Sequence, residues 1–195
     1  MLGIVCAGQL QAHLAAGTIN LEDLPLLIVF GGLPGTGKTT LAEAVAKRYA
    51  AVYLRIDTIE MAIRTTELLR EDIGPAGYVT AYWVAEENLR LGRVVVADSV
   101  NPLQITRESW SLVARNADVP LVEIEVLCSD PVEHRQRIET RTPDRDGLPP
   151  LTWESVCHRT YEKWTAPHLV IDTAGKSVIE TEQELIDCLS AASHL

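Results

Sequence analysis

Positive charge is scarce in this sequence and absent from its start: 17 lysines and arginines stand against 27 aspartates and glutamates, and the first basic side chain is Lys38. The resulting net charge of −10 repels polyphosphate backbones and anionic lipid, which disfavours broad binding to nucleic acid or to a membrane surface. A secretory leader needs a basic stretch ahead of its apolar run, and residues 1–37 offer none. No uninterrupted apolar run approaches the roughly 20 residues of a spanning helix. Cys6, Cys128, Cys157 and Cys188 lie far apart and form no Cys-x-x-Cys, so disulfides and zinc sites lack support and free thiols in a reducing cytoplasm are the expectation. His13, His134, His158, His168 and His194 show no metal-ligand spacing. There is no internal repeat and no long linker, and 195 residues are most simply one domain with a sizeable core.

What is present is an alternation. Leu26 to Phe30 is a short apolar run ending in glycines, the pattern of a strand buried on both faces. Leu41, Ala42, Ala44, Val45, Ala46 and Tyr49 then recur at helical spacing, and Ala51 to Ile56 is extended. Thr58 to Arg70 and Ala76 to Leu91 predict helices, with Gly92 stopping the second before a strand at Arg93 to Ala97. Beyond it, Ile105 to Ala117 reads as helix, Leu121 to Leu127 as strand, Pro131 to Arg141 as helix and Trp153 to Trp164 as helix. His168 to Ile171 reads as a last strand, and Glu180 to Ala192 as a last helix. Five strands alternating with helices predict an α/β domain over residues 26–195 with right-handed crossovers. Residues 1–25 stand outside the alternation as an extension, where Leu10, Leu14 and Gly17 suggest one short helix or a loosely attached arm.

The run Gly32-Leu33-Pro34-Gly35-Thr36-Gly37-Lys38-Thr39 fits GxxxxGK[ST], with a strand before it and a helix after, as the phosphate-binding loop requires. Glycines let backbone amides turn inward as a nest, the helix start adds its positive end, and Lys38 supplies an ammonium for the β- and γ-phosphates. Thr39 offers a hydroxyl to Mg²⁺. A plain strand-to-helix turn needs one or two glycines and has no use for Lys followed by Thr. Gly35-x-Gly37 with Asp57 downstream superficially matches a dinucleotide fingerprint, but Thr40 occupies the place of its third glycine and Lys38 would go unexplained.

Val94 to Asp98 is an apolar strand ending in an acid, the pattern of a carboxylate that holds Mg²⁺ directly or through water. The residue after it is Ser99, whereas mechanical ATPases of the AAA type, which share the run Gly35 to Ala42, polarise water with a Glu there. Asp57 closes the second strand; with Glu60 three residues on it reads as a helix cap, and as a strand-end carboxylate it can take a proton from an attacking hydroxyl. Arg137 and Arg141 are i and i+4 on one helix face, ahead of the Pro/Gly-rich segment Thr142 to Pro150 that looks like a lid, with Arg135 and Arg145 nearby. Guanidinium groups stabilise the charge of a transferring phosphoryl group; the competing expectation is that these arginines merely pair with Glu133 and Glu139.

At these positions the chain resembles the small P-loop kinases, in particular predicted kinases near the zeta-toxin, chloramphenicol phosphotransferase and gluconate kinase families. The matching residues are Gly32 to Thr40, Arg55-Ile56-Asp57, Gly92 to Asp98, Arg137-x-x-x-Arg141 and Val170 to Thr173, over about residues 26–190. The resemblance implies a three-layer P-loop NTPase fold with a five-stranded parallel sheet ordered 2-3-1-4-5 and a small helical lid at about 135–150. It further implies ATP and Mg²⁺, Asp57 at the acceptor hydroxyl, Arg137 and Arg141 in the lid, and adenine held partly by the loop Thr173 to Lys176. Residues 1–25 depart from it, since the family's P-loop lies close to the amino terminus.

The expected activity is an ATP-dependent kinase transferring the γ-phosphate to a hydroxyl of a small-molecule acceptor, acting as a monomer or homodimer. Arg64, Tyr78, Tyr82, Trp83, Asn101 and Arg107 are candidates to line the acceptor site, with Glu60, Glu67 and Asp72 suiting a polyhydroxylated or amino-bearing acceptor. The alternative is a nucleotide-binding regulatory ATPase or switch without such an acceptor; a GTPase is disfavoured because no Asn-Lys-x-Asp occurs.

Overall fold

The computed structural model describes residues 24–66, 73–141 and 151–193. Leu27–Gly31 forms β1 and is buried along its whole length, as a central parallel strand covered on both faces must be. The chain continues through α1 (Lys38–Arg48), β2 (Val52–Arg55), α2 (Ile56–Thr65), α3 (Ala76–Arg90), β3 (Val95–Asp98), α4 (Gln104–Ala117), β4 (Leu121–Leu127), α5 (Pro131–Glu139), α6 (Trp153–Cys157), β5 (Leu169–Asp172) and α7 (Val178–Ser193). The five strands are all parallel and ordered β2-β3-β1-β4-β5, so the chain doubles back on either side of β1. In such a sheet the crevice opens at the carboxyl ends of the strands where the order reverses.

Alternation along the strands separates two cores. Ile28 and Phe30 of β1, with Val122, Ile124 and Val126 of β4, face Leu41, Ala42 and Val45 of α1 and Leu185 and Leu189 of α7. Leu27 and Val29 face the other way, with Val95 and Ala97, against Ala81, Ala85 and Leu89 of α3 and Trp110 and Val113 of α4. The result is three layers, helix on sheet on helix, with each fully buried aliphatic side chain contributing about 1.5–3 kcal/mol over its exposed state. Among the described residues, no helix is long and apolar enough to cross a membrane.

Several boundaries differ from the sequence expectation. β2 stops at Arg55, so Ile56 is the first helical residue of α2 and Asp57 sits inside its first turn; Arg55 takes the N-cap position and no side chain caps the helix. The Asp57–Glu60 capping box is therefore not formed. α2 ends at Thr65 and α5 at Glu139, so Arg141 lies beyond the helix that was to carry it on one face with Arg137. The largest change is α6, which covers Trp153–Cys157 and not 153–164. Tyr161 and Trp164 have helical spacing, but their rings are spent against the sheet: the Tyr161 hydroxyl donates to Glu125 on β4, and Trp164 packs over Gly31. The short helix expected within 1–25, and the lid segment from 142 to 150 with Arg145, lie outside the described residues, as do Glu67 and Asp72.

Candidate active site

The loop between β1 and α1 is shaped by what glycine alone allows. Gly32 has φ 139°, and a β-carbon there would collide with the Val126 carbonyl oxygen; Gly35 has φ 85° and lies beneath α5, where a β-carbon would sit 2.6 Å from Ile138 Cδ1. Gly37 is the N-cap of α1, and no side chain accepts from that helix's first amides. Those amides and the positive end of the helix dipole are left to an anion. Lys38 is only 6% exposed, at the first position of α1, with Thr39 half-buried beside it and Thr40 exposed.

The loop is braced from outside. Thr36 Oγ1 donates to Leu33 O at 2.9 Å within the loop. The Thr173 hydroxyl, after β5, lies 2.9 Å from Thr36 O and 3.0 Å from Leu127 O, so one hydroxyl ties the phosphate loop to the ends of β4 and β5. Arg137 donates to Thr173 Oγ1 at 2.7 Å and Thr173 O at 3.0 Å, and its other contact is an ion pair with Glu133 at 2.6 Å. Glu133 also accepts from the Gly175 amide at 2.8 Å, and that bond, followed by Arg137, holds its carboxyl below the usual carboxylate range. His134, one turn into α5 and buried, places Nε2 2.8 Å from Pro34 O. Arg137 thus stands beside the phosphate loop, whereas Arg135 pairs with Glu139 at 2.7 Å on the surface. Arg141 is exposed one residue past the cap of α5.

Across the crevice, Asp98 is 1% exposed at the end of β3. Its Oδ2 accepts from the Tyr53 hydroxyl at 2.8 Å and lies 3.8 Å from Arg55 Nε, while Oδ1 has no partner among the described residues. A buried carboxylate oxygen without a partner costs free energy that a bound cation recovers, and a carboxylate with a threonine hydroxyl is the hard-oxygen donor set that Mg²⁺ takes. Asp98 and Thr39 therefore fit that ion. Burial and then Asp98 push the Tyr53 hydroxyl far above its ordinary value, so it remains a donor. Asp57, half-exposed, lies 3.8 Å from Arg55 Nη2, which makes Arg55 the link between the two acids. Arg55 stands in the matched run Arg55-Ile56-Asp57 and Tyr53 in the extended run before it, but the sequence assigns neither a role; the signal is their i, i+2 spacing on β2, which puts both on the face that meets Asp98, the register partner of Arg55.

The expected acceptor residues divide. Tyr78 accepts from the Asn101 amide at 3.1 Å beside the end of β3. Asn101 is fully buried, has φ 50°, and its side-chain amide has no partner among the described residues. Tyr82 instead bonds Thr106 O at 3.1 Å and stacks edge-on against Trp110, making it a packing residue. Trp83 is 73% exposed, and Arg64 is exposed on α2. Arg107, a candidate anion binder, is committed: buried, it donates to Asn101 O at 3.0 Å and sits 5.0 Å above the Trp164 ring.

Residues 158–168 form a strap over the far half of the same sheet face. Trp164 Nε1 donates to the Tyr161 hydroxyl at 2.8 Å, which donates to Glu125 Oε1 at 2.8 Å. His168 places Nε2 3.2 Å from Glu125 Oε2 and Nδ1 2.8 Å from Ala166 O. Both neighbours are acceptors, an arrangement that favours the ring protonated at both nitrogens, and the Glu125 bond raises its pKa. Glu123 is buried next to this group with Oε1 unpartnered among the described residues, and burial pushes its carboxyl up to about 7.

Residues 27–156 match the family model described as AAA domain. No curated protein matches the sequence. Among solved structures, the chain is similar to the Mycobacterium tuberculosis APS kinase in complex with AMPPNP and APS, at 21% identity and TM-score 0.64, over 86% of this chain and 98% of that one. It is similar to a gluconokinase from Sinorhizobium meliloti, at 18% identity and TM-score 0.60, over 87% and 94%. A sugar kinase from Janibacter also matches, at 18% identity and TM-score 0.56, over 87% and 96%. These likenesses establish the fold: a P-loop domain in the strand order of these kinases.

Proposed function

This chain belongs to the AAA domain family in its P-loop kinase-like form, and on that premise we propose that it is an ATP-dependent kinase acting on a hydroxyl of a small-molecule acceptor. One observation carries the reading: at the carboxyl ends of the neighbouring strands β1, β3 and β2 stand an uncapped helix start with a buried Lys38, a buried Asp98 whose Oδ1 has no partner among the described residues, and the exposed carboxylate of Asp57. Phosphoryl transfer asks a protein mainly for positioning and charge neutralisation, and this arrangement supplies both. The loop from Gly32 to Thr40 holds the phosphates through Lys38 and its unspent amides, since Pro34 has none and those of Gly32 and Thr36 donate to Val100 O and Leu33 O. Thr39 and Asp98 hold Mg²⁺, which supplies charge neutralisation on the phosphate oxygens when bound. Asp57 accepts the acceptor's hydroxyl proton, and Arg137 with Arg141 offsets charge on the transferring group. Thr173 supports the loop from the adenine side.

The family's name covers mechanical ATPases as well. Ser99 in place of a water-polarising Glu, and the similarity to three solved kinases, support transfer over hydrolysis. The acceptor binds on the side lined by Tyr78 and Asp57.

The test is transfer of label from γ-labelled ATP with Mg²⁺ to a panel of hydroxyl-bearing metabolites. Wild type is expected to label at least one of them, with Lys38→Ala and Asp57→Ala each reducing the rate about 10²–10⁴-fold. Equal, acceptor-independent ATP hydrolysis by wild type and Asp57→Ala would overturn the kinase reading in favour of a regulatory ATPase.

A further inference from the structure

A trans peptide is planar, and its C=O and N–H point in opposite directions. The Pro34–Gly35 peptide is trans, and its carbonyl is turned outward to His134 Nε2 at 2.8 Å. The Gly35 N–H is therefore turned inward. It donates to no group among the described residues. Gly35 at φ 85° has no β-carbon to resist rotation of this peptide, so the loop's own backbone does not fix which way the amide faces. A flipped peptide would present a carbonyl oxygen, and not a donor, to a phosphate.

His134 is placed to decide between these two states. α5 is held at its start by Asp130, which caps it through Val132 N at 2.8 Å and Glu133 N at 3.3 Å, with Pro131 at the first helical position. One turn on, the imidazole is buried with Trp153 of α6 edge-on at 5.1 Å, and its Cδ2 lies 3.2 Å from where a Gly35 β-carbon would be. The ring has little freedom to leave Pro34.

We propose that His134 is a positioning residue for the nucleotide's phosphates: by donating from Nε2 to Pro34 O, it holds the Pro34–Gly35 peptide with its amide facing the anion. The inference rests on the nucleotide-binding half of the function proposed above. The ligand class is a nucleoside diphosphate or triphosphate, read at the phosphate that the Gly35 amide meets.

The experiment measures ADP affinity by calorimetry, with adenosine as the phosphate-free control, and the melting temperature of each protein without ligand. A glutamine side chain carries a donor close to the Nε2 position, whereas phenylalanine fills the space without one. His134→Phe is expected to weaken ADP roughly tenfold and leave adenosine unchanged, while His134→Gln stays close to wild type. If His134→Phe fails to fold, His134→Leu against His134→Gln carries the same comparison. Wild-type affinity in the Phe or Leu variant overturns the proposal, and so does an equal loss in His134→Gln, which would assign the effect to ring packing. Failure of the wild type itself to bind ADP, with no further loss in Lys38→Ala, would instead overturn the nucleotide-binding reading.

Discussion

Two adjacent glycines on β1 and its loop meet two different walls. At Gly32 an added β-carbon would collide with a main-chain carbonyl, that of Val126; at Gly31 it would collide with the ring of Trp164. The first wall, on the phosphate side, is built from backbone: uncapped amides, a left-handed glycine, and carbonyls received by Thr173 and His134. The second wall, under the strap, is built from titratable or charged side chains, the buried Glu123 and Arg107 and the half-buried Glu125 and His168, closed over by Tyr161 and Trp164. A backbone wall has one shape. A side-chain wall has rotamers, and its charges change with pH, so the two should fail differently.

The largest expected effect tests the backbone wall. Gly32→Ala must displace main chain at a φ that L residues rarely adopt, and should cost about 4 kcal/mol of unfolding free energy and abolish nucleotide binding. Gly31→Ala meets a side chain that can move, and should cost about 1–3 kcal/mol while nucleotide binding survives. Urea denaturation with ADP titration separates the two. A Gly31 variant as damaging as the Gly32 one would erase the distinction between the walls.

The side-chain wall should reveal itself through pH. Glu123 is raised from 4.5 to about 7, so its ionisation opposes folding; the penalty is absent below about 4.5, grows as pH rises, and is complete above about 7. By the same linkage it reaches roughly 3 kcal/mol at most. His168 is raised too, by its bond to Glu125, so its contribution is whole below its ordinary value near 6.5 and is lost as pH rises through the raised one. Both signs run the same way, and wild type should lose stability between pH 5.5 and 8.5. Glu133, Asp172 and Glu180, held below the usual carboxylate range, act below that window. Denaturation at the two pH values should show Glu123→Gln losing clearly less than wild type; the same decline in both would mean that Glu123 stays ionised and satisfied.

The difference between the walls also governs what the sequence discloses. A backbone nest demands glycine at fixed spacing, so Gly32 to Thr39, the strand before and the helix after are readable from residue types alone, and β4 is read with its observed ends, Leu121 and Leu127. The strap follows no such rule. Tyr161 and Trp164 keep helical spacing, and only the sheet face that receives them, Glu125 and Gly31, makes them a strap in place of the last turns of α6. His134 passes for a scattered histidine because its partner is a carbonyl 100 positions away, and carbonyls leave no mark in a sequence. Asp57 reads as an acid at a strand end, but its place inside the first turn of α2 depends on where β2 stops, a tertiary matter.

The smallest effect sharpens the same comparison along one helix. Arg135 and Arg137 are two residues apart on α5, and each pairs with a glutamate four residues away. Arg137 adds two bonds to Thr173, which itself bonds the phosphate loop, so it belongs to the backbone wall. Arg135, with 60% of its side chain exposed, pairs among the described residues with Glu139, itself 50% exposed, and such pairs contribute little in water. Arg137→Ala should therefore lower turnover at least tenfold, in keeping with loss of a charged hydrogen-bonding group that braces the phosphate loop. Arg135→Ala should shift unfolding by no more than about 0.5 kcal/mol and leave turnover unchanged. Equal losses from the two would show that α5 acts through its overall charge, and the bracing of the phosphate loop by Arg137 would then have no energetic content of its own.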